Sequence, residues 1–194
     1  MAKTHRRGIT PNRPSIEQRP AIVDAGSRIG DWEADTLIGK NYRQAIVSLV
    51  ERKTGYTLIH KVERKTAEAV IKATTRLLKP HRRRVHTITS DNGREFAGHE
   101  KISKQLGADF YFAHPYASWE RGTNENTNGL IRQYFPKNRD FTTITQQEMD
   151  TAMERLNNRP RNDLDTKHLI RYSSNQALHF IFESANFSYS TGMR

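Results

Sequence analysis

The sequence has no cysteine, which excludes a disulfide framework, a thiolate zinc site and a cysteine nucleophile, and fits a reducing cytosol. It also has no run approaching about 18 apolar residues. The start, Met1-Ala2-Lys3-Thr4-His5-Arg6-Arg7, has no apolar segment behind it, so neither a membrane span nor a signal peptide is expected. Acidic residues are in short supply, 21 against 32 Lys and Arg, which leaves a net charge of +11 and a pI near 10.1. That excess argues against an acid-loving or neutral-ligand protein and calls for a polyanionic partner, nucleic acid first. What is present suffices for one domain with tails: 194 residues can bury a core without metal or disulfide staples.

Residues 1–20 hold Lys3, Arg6, Arg7, Arg13 and Arg19 against the single acid Glu17, with three prolines and few apolar side chains. They read as an extended basic arm that touches nucleic acid. From Gly30 to Gly39 acids alternate with apolar or small residues, as in a strand. Ala45 to Val50 is apolar enough for a strand covered on both faces, Lys53-Thr54-Gly55 makes a turn, and Tyr56 to Val62 returns as a hairpin partner. Helical spacing from Thr66 to Pro80 predicts a crossover helix, after which Val85 to Ser90 is a strand parallel to an earlier one. Next come a short helix at His99 to Leu106 and a strand at Asp109 to Ala113. A helix within Ser118 to Phe135 follows, and Thr145-Gln146-Gln147-Glu148 opens a last helix as a capping box. This order predicts an α/β domain with a mixed sheet sandwiched by helices.

Three carboxylates stand out: Asp35 in the first strand, Asp91 just past the fourth, and Glu125 near the start of the long helix. Neighbouring strand ends and one helix face can converge such groups, and the self-repulsion of the cluster then calls for cations. Magnesium suits that task, because it takes one or two carboxylates, keeps waters and binds phosphate oxygens. Two ions about 4 Å apart would clamp both oxygens of an in-line phosphoryl displacement. Geometry alone leaves other choices open, since Asp31 and Glu33 share a strand face with Asp35, and Glu120 lies on the approach to Glu125. Glu95 reads as a surface or ion-paired residue, and Glu51 and Glu63 as solvated strand ends.

The segments Trp32-Glu33-Ala34-Asp35, Thr89-Ser90-Asp91-Asn92-Gly93-Arg94-Glu95-Phe96 and Glu120 to Pro136 resemble the active-site segments of DDE transposases. They look most like the insertion-sequence-thirty family, whose core is similar to retroviral integrase and has a ribonuclease H-like fold. The resemblance runs from about Arg19 to Arg161. It implies a five-stranded mixed sheet flanked by helices, the catalytic triad Asp35, Asp91 and Glu125, and two Mg²⁺ ions bound by that triad, with Mn²⁺ as a substitute. It implies DNA transposition and integration by strand cleavage and strand transfer, with transposon ends and target DNA as partners. It also implies a homo-oligomer on DNA and a bacterial cytoplasmic, nucleoid-associated location. Two other readings stand beside it: an inactive DNA-binding remnant, and a ribonuclease H-like nuclease acting on hybrids.

Along the long helix, positions 121, 125, 128 and 132 share one polar face, so Arg121, Asn128 and Arg132 are candidates to hold DNA beside Glu125. The run Arg82-Arg83-Arg84, with Lys79 and His81, is a loop that could track phosphates. His114 is not expected to bind metal, because no second histidine has ligand spacing. The sequence departs from the family at both ends. Residues 1–29 contain no helix pair able to read a major groove. After Arg161 the family's Thr-Pro-Asn-Gln-Val-Phe type ending is replaced by Lys167-His168-Leu169-Ile170-Arg171-Tyr172-Ser173. With permitted codons, this run encodes the family ending when read two nucleotides out of phase. The expected organisation is a basic arm at 1–20, a catalytic core at 21–161, and a frameshifted tail at 162–194 on a truncated gene.

Overall fold

The computed structural model describes residues 12–115 and 117–159; the tail and residues 1–11 of the arm lie outside them. A short helix α1 (Ala21–Asp24) leads to strand β1 (Asp31–Ile38), then β2 (Ala45–Glu51) and β3 (Thr57–Val62). Helix α2 (Ala67–Leu78) crosses over to β4 (Thr87–Ser90), and α3 (His99–Leu106) leads to β5 (Asp109–Phe112). Helices α4 (Gly122–Tyr134) and α5 (Gln146–Asn157) complete the described chain. The sheet order is β3-β2-β1-β4-β5. β1, β2 and β3 pair antiparallel, whereas β4 joins β1, and β5 joins β4, in parallel. This is the mixed, helix-flanked sheet that the pattern predicts.

Alternation along β1 divides the core. Trp32 and Ala34 enter one apolar cluster with Val47, Leu49, Val70, Ile88, Ile102 and Phe110, beneath α2 and α3. Leu37 enters the other with Ile46, Ile131, Phe135, Met149 and Leu156, beneath α4 and α5. Every residue of β2 is buried, as a strand covered on both faces requires. Local signals set the helix ends. Thr66 and Thr145 cap α2 and α5, the latter in a complete capping box with Glu148, and Gly107 closes α3 at φ 69°. Gly30, at φ 109°, admits the backbone of Arg84, whose carbonyl oxygen would lie 1.8 Å from a side-chain carbon there. That close approach seats β1 beside β4, with Ala34 level with Ser90.

Three expectations need correction. Residues 12–20 pack on the core instead of extending from it: Phe112 donates its N–H to the Pro14 carbonyl, the Arg13 guanidinium lies over the Phe112 ring, and Arg19 is buried with a hydrogen bond to Thr89. Glu51 is not solvated. It is wholly buried, accepting the N–H groups of Gly30 and Thr54 and the Thr54 hydroxyl, so it braces the β2–β3 turn against the start of β1. The Lys79–Arg84 stretch is a 3-10 helix, not a loop, and His81 within it is buried against Trp32 and Tyr56.

Candidate active site

Asp31, Glu33 and Asp35 alternate onto the β1 face that α4 covers, and each has its own partners. Asp31 is bonded by Arg28 at 2.8 and 2.9 Å and by the Thr87 hydroxyl at 2.7 Å. Glu33 pairs with Arg52 and accepts the Asn124 backbone N–H at 2.8 Å. Asp35 accepts from Asn128 Nδ2 at 2.9 Å and Arg121 Nη1 at 3.3 Å. Side-chain exposure separates the three: 1% for Asp31 and 0% for Glu33, but 21% for Asp35. Asp35 alone of this trio is open enough to meet a substrate, a choice the strand pattern could not make.

Asp91 follows β4 directly, one step past the Ala34–Ser90 level, so it stands beside Asp35 where the parallel pairing of β4 with β1 ends, while β1 itself runs on to Ile38. Its Oδ1 accepts the Gly93 N–H at 2.9 Å. The next residue, Asn92, is held by Arg13 through its carbonyl and side-chain oxygens at 3.0 and 2.9 Å and donates to the Ala113 carbonyl. The turn bearing Asp91 is therefore fixed from both sides. Burial pushes the Asp35 pKa up; Arg121 opposes this, and the neighbouring Asp91 adds to it. The carboxylate oxygens of this pair are hard donors of the kind magnesium takes, and such a cation would relieve their repulsion. The residues present fit the metal in that respect.

Two of the other acids, Glu95 and Glu120, are engaged elsewhere. Glu95 is buried, with hydrogen bonds from Lys65 at 2.6 Å and Thr36 at 2.8 Å. Burial pushes its pKa up, but Lys65, a backbone N–H and Thr36 together hold it below the usual carboxylate value. Glu120 accepts the His114 N–H at 2.8 Å and contacts its Nδ1 at 2.7 Å, so it braces the loop before α4. Glu125 is exposed and makes no polar contact among the described residues. It lies one turn from Arg121 and from Asn128 on the same helix, yet no group of three His, Cys, Asp or Glu among the described residues is close enough to hold an ion. The fold gathers the two aspartates and leaves Glu125 at the rim.

The basic candidates divide by location. Arg121 is buried against Asp35, and Asn128 bridges Asp35 to the Ser48 hydroxyl, which donates to its Oδ1 at 3.0 Å. Arg132 is half-buried and bonds the Ile38 carbonyl at 2.9 Å, with Asp35 near enough to oppose the effect of burial on its pKa. Arg82, Arg83 and Arg84 are exposed, and they lie before the start of β4 while Asp91 follows its end. Trp119 stands exposed just before α4, and Tyr116 lies outside the described residues. Three participants escape a reading of the sequence alone: Glu33 as a contact of α4, Ser48 beneath Asn128, and Asn124, wholly buried with both side-chain polar atoms unpartnered. Ser48 carried a signal, as the one hydroxyl in the apolar run Ala45 to Val50.

Among the described residues no helix is long and apolar enough to cross a membrane. Residues 27–118 match the family Integrase core domain. The chain is 48% identical over 163 residues to "Transposase for insertion sequence element IS4351" of Bacteroides fragilis, covering 84% of this chain and 50% of the relative. It is 40% identical over 157 residues to "Transposase InsI for insertion sequence element IS30A" of Escherichia coli strain K12, covering 80% of this chain and 41% of the relative. The chain thus spans about half the length of the curated relatives it matches. In fold it is similar to the catalytic core domain of BIV integrase, with TM-score 0.55 and 20% identity over 76% of this chain and 97% of that one. The mixed sheet, its order and its flanking helices are those of the retroviral integrase catalytic core, a ribonuclease H-like fold. The chain is thus similar to insertion-sequence transposases over most of its length, and to the integrase core domain over residues 27–118.

Proposed function

We propose that this chain is the catalytic core of a metal-dependent polynucleotidyl transferase that cuts DNA at transposon ends and joins the freed 3′ hydroxyl to target DNA. The observation that carries the reading is the pair Asp35 and Asp91, each one residue past the last β1–β4 parallel pair, with α4 laid across Asp35 through Arg121 and Asn128. When bound, two Mg²⁺ ions, or Mn²⁺ in their place, neutralise charge at the attacking and leaving oxygens of a phosphodiester. Asp35 and Asp91 would hold the ions, and Glu125 on α4 would complete the second site. Asn128 orients the Asp35 carboxylate. Arg121 and Arg132 present positive charge to the DNA end, and Arg82, Arg83 and Arg84 offer a separate phosphate-tracking surface at the far end of the sheet.

The core unit corresponds to residues 21–161, with residues 1–20 as an arm whose second half is seated on it and residues 162–194 as an appended tail. Assembly as a homo-oligomer on DNA, in the bacterial cytoplasm at the nucleoid, belongs to the same reading. The relatives' names and the open Asp35 favour it over an inactive remnant. The test is strand joining with a supplied pre-cut DNA end, with and without Mg²⁺. Metal-dependent joining is expected, and its absence under Mg²⁺ and Mn²⁺ alike would leave the inactive remnant or the ribonuclease H-like nuclease.

A further inference from the structure

We infer that Glu33 is a positioning residue for Glu125, acting as a cap for α4 supplied by the sheet instead of by the helix's own sequence; this rests on the function proposed above. The first N–H groups of any helix lack intrahelical partners. α2 and α5 solve this with Thr66 and Thr145, but α4 has no side-chain cap at Arg121. Its third residue, Asn124, instead donates its backbone N–H to Glu33 Oε2 at 2.8 Å. A carboxylate there also suits the positive end of the helix dipole. The Asn124 side chain, wholly buried and unpartnered, adds no hydrogen bond, so the backbone N–H is this residue's polar tie to the sheet.

Glu33 is itself held on the other side. Arg52 pairs with its Oε1, and the same guanidinium donates through Nε to the Val23 carbonyl of α1 at 3.1 Å. Both carboxylate oxygens are therefore committed, and the one facing α4 sits one residue from Glu125. Glu33 and Asp35 point to the same face two residues apart on β1, so a single strand orients Asp35 directly and Glu125 through the helix. A fixed first turn limits the directions from which the exposed Glu125 can approach the aspartate pair.

Two substitutions separate reach from charge. Glu33→Asp keeps the charge for Arg52 but withdraws the carboxylate from Asn124 by one carbon–carbon bond, about 1.5 Å. Glu33→Gln keeps an oxygen at full reach but leaves Arg52 without its buried counter-charge. Full chains carrying each change are compared in Mg²⁺-dependent joining of a pre-cut DNA end, in Mn²⁺ binding by calorimetry, and in thermal melting. Glu33→Asp should lose roughly tenfold or more in joining and in Mn²⁺ affinity, while melting less far below the parent than Glu33→Gln. Glu33→Gln should melt lower yet stay within about threefold of the parent in both readouts. A merely structural acid gives the opposite order, with joining and binding following melting temperature, and that result overturns the inference. So does an equal loss in Mn²⁺ affinity from Asp31→Asn, the neighbouring buried acid paired to Arg28 with no bond to α4. A parent chain that neither joins DNA nor binds Mn²⁺ sinks the functional reading and this inference with it. A parent that does both, with the variants in the structural order, sinks only the role of Glu33.

Discussion

Asn128 donates its side-chain N–H to the Asp35 carboxylate at 2.9 Å while its carbonyl oxygen accepts from Ser48, so one helix residue ties an acid of β1 to the strand beside it. The bond spans 93 positions of chain. It sets the direction of the most open acid on that face and places α4 over the site. Asn128→Ala should cost about 1–2 kcal/mol in stability, because the part-buried Ser48 hydroxyl loses its acceptor. Metal-dependent joining should fall further than that loss explains, as urea melts and joining rates measured together would reveal.

Neutralising the proposed triad should remove activity without unfolding the chain. Asp35→Asn, Asp91→Asn and Glu125→Gln are each expected to reduce metal-dependent joining at least about a hundredfold. Burial and then Asp91 raise the Asp35 pKa against the pull of Arg121, so ionised Asp35 costs stability above its unfolded pKa, and that cost is relieved as pH falls through the raised folded value. Asp35→Asn should therefore leave the metal-free melting temperature unchanged or higher at neutral pH. A clear drop for all three variants would mark structural ion pairs instead.

His81 makes the fold sensitive to acid. Burial, aided by Arg84, pulls its pKa from 6.5 to about 4, so the unfolded chain binds the proton first. Stability should be full above the unfolded pKa and fall by roughly 3 kcal/mol as pH drops from 6.5 towards 4. Replacing His81 with Phe, which cannot titrate against Trp32 and Tyr56, should flatten that part of the curve in urea unfolding across this pH range.

Asn157, at the end of α5, ties that helix to β3. Its side chain accepts the Thr57 N–H and donates to the Thr57 carbonyl, both at 2.8 Å and buried, in the manner of one more strand residue. Asn157→Ala strands both groups and should cost roughly 3 kcal/mol, seen as a lower urea midpoint. Activity per folded molecule should stay unchanged.

The two basic groups should separate in DNA binding. Arg132 lies near Asp35 and bonds the Ile38 carbonyl, whereas Arg83 is exposed at the far end of β4. Arg132→Ala should weaken binding of a DNA end more than Arg83→Ala, and a variant that leaves one phosphate un-neutralised should show a slope of log affinity against log salt shallower by about one. Equal small effects would leave Arg132 as a purely structural residue that holds the end of β1.

Element identity was legible because it rests on near neighbours. Apolar alternation placed β1, the continuous run placed β2, and Thr145 with Glu148 announced α5, since strand period, helix period and caps are set within a few residues. The three candidate segments around Asp35, Asp91 and Glu125, carried by a resemblance, likewise lay in plain order along the chain. Partnership was not legible, because it depends on contacts brought together from distant positions. Only the folded sheet buries Glu51 under Gly30, commits Glu33 to Arg52 and Asn124, and leaves Asp35 open beside Asp91. Arg13 and Arg19 read as a free basic arm until the bonds to Asn92 and Thr89 seat them on the core. A charged side chain carries the same sequence signal whether solvated or buried. Its surroundings decide which, because leaving water is tolerable only where partners from other elements meet it.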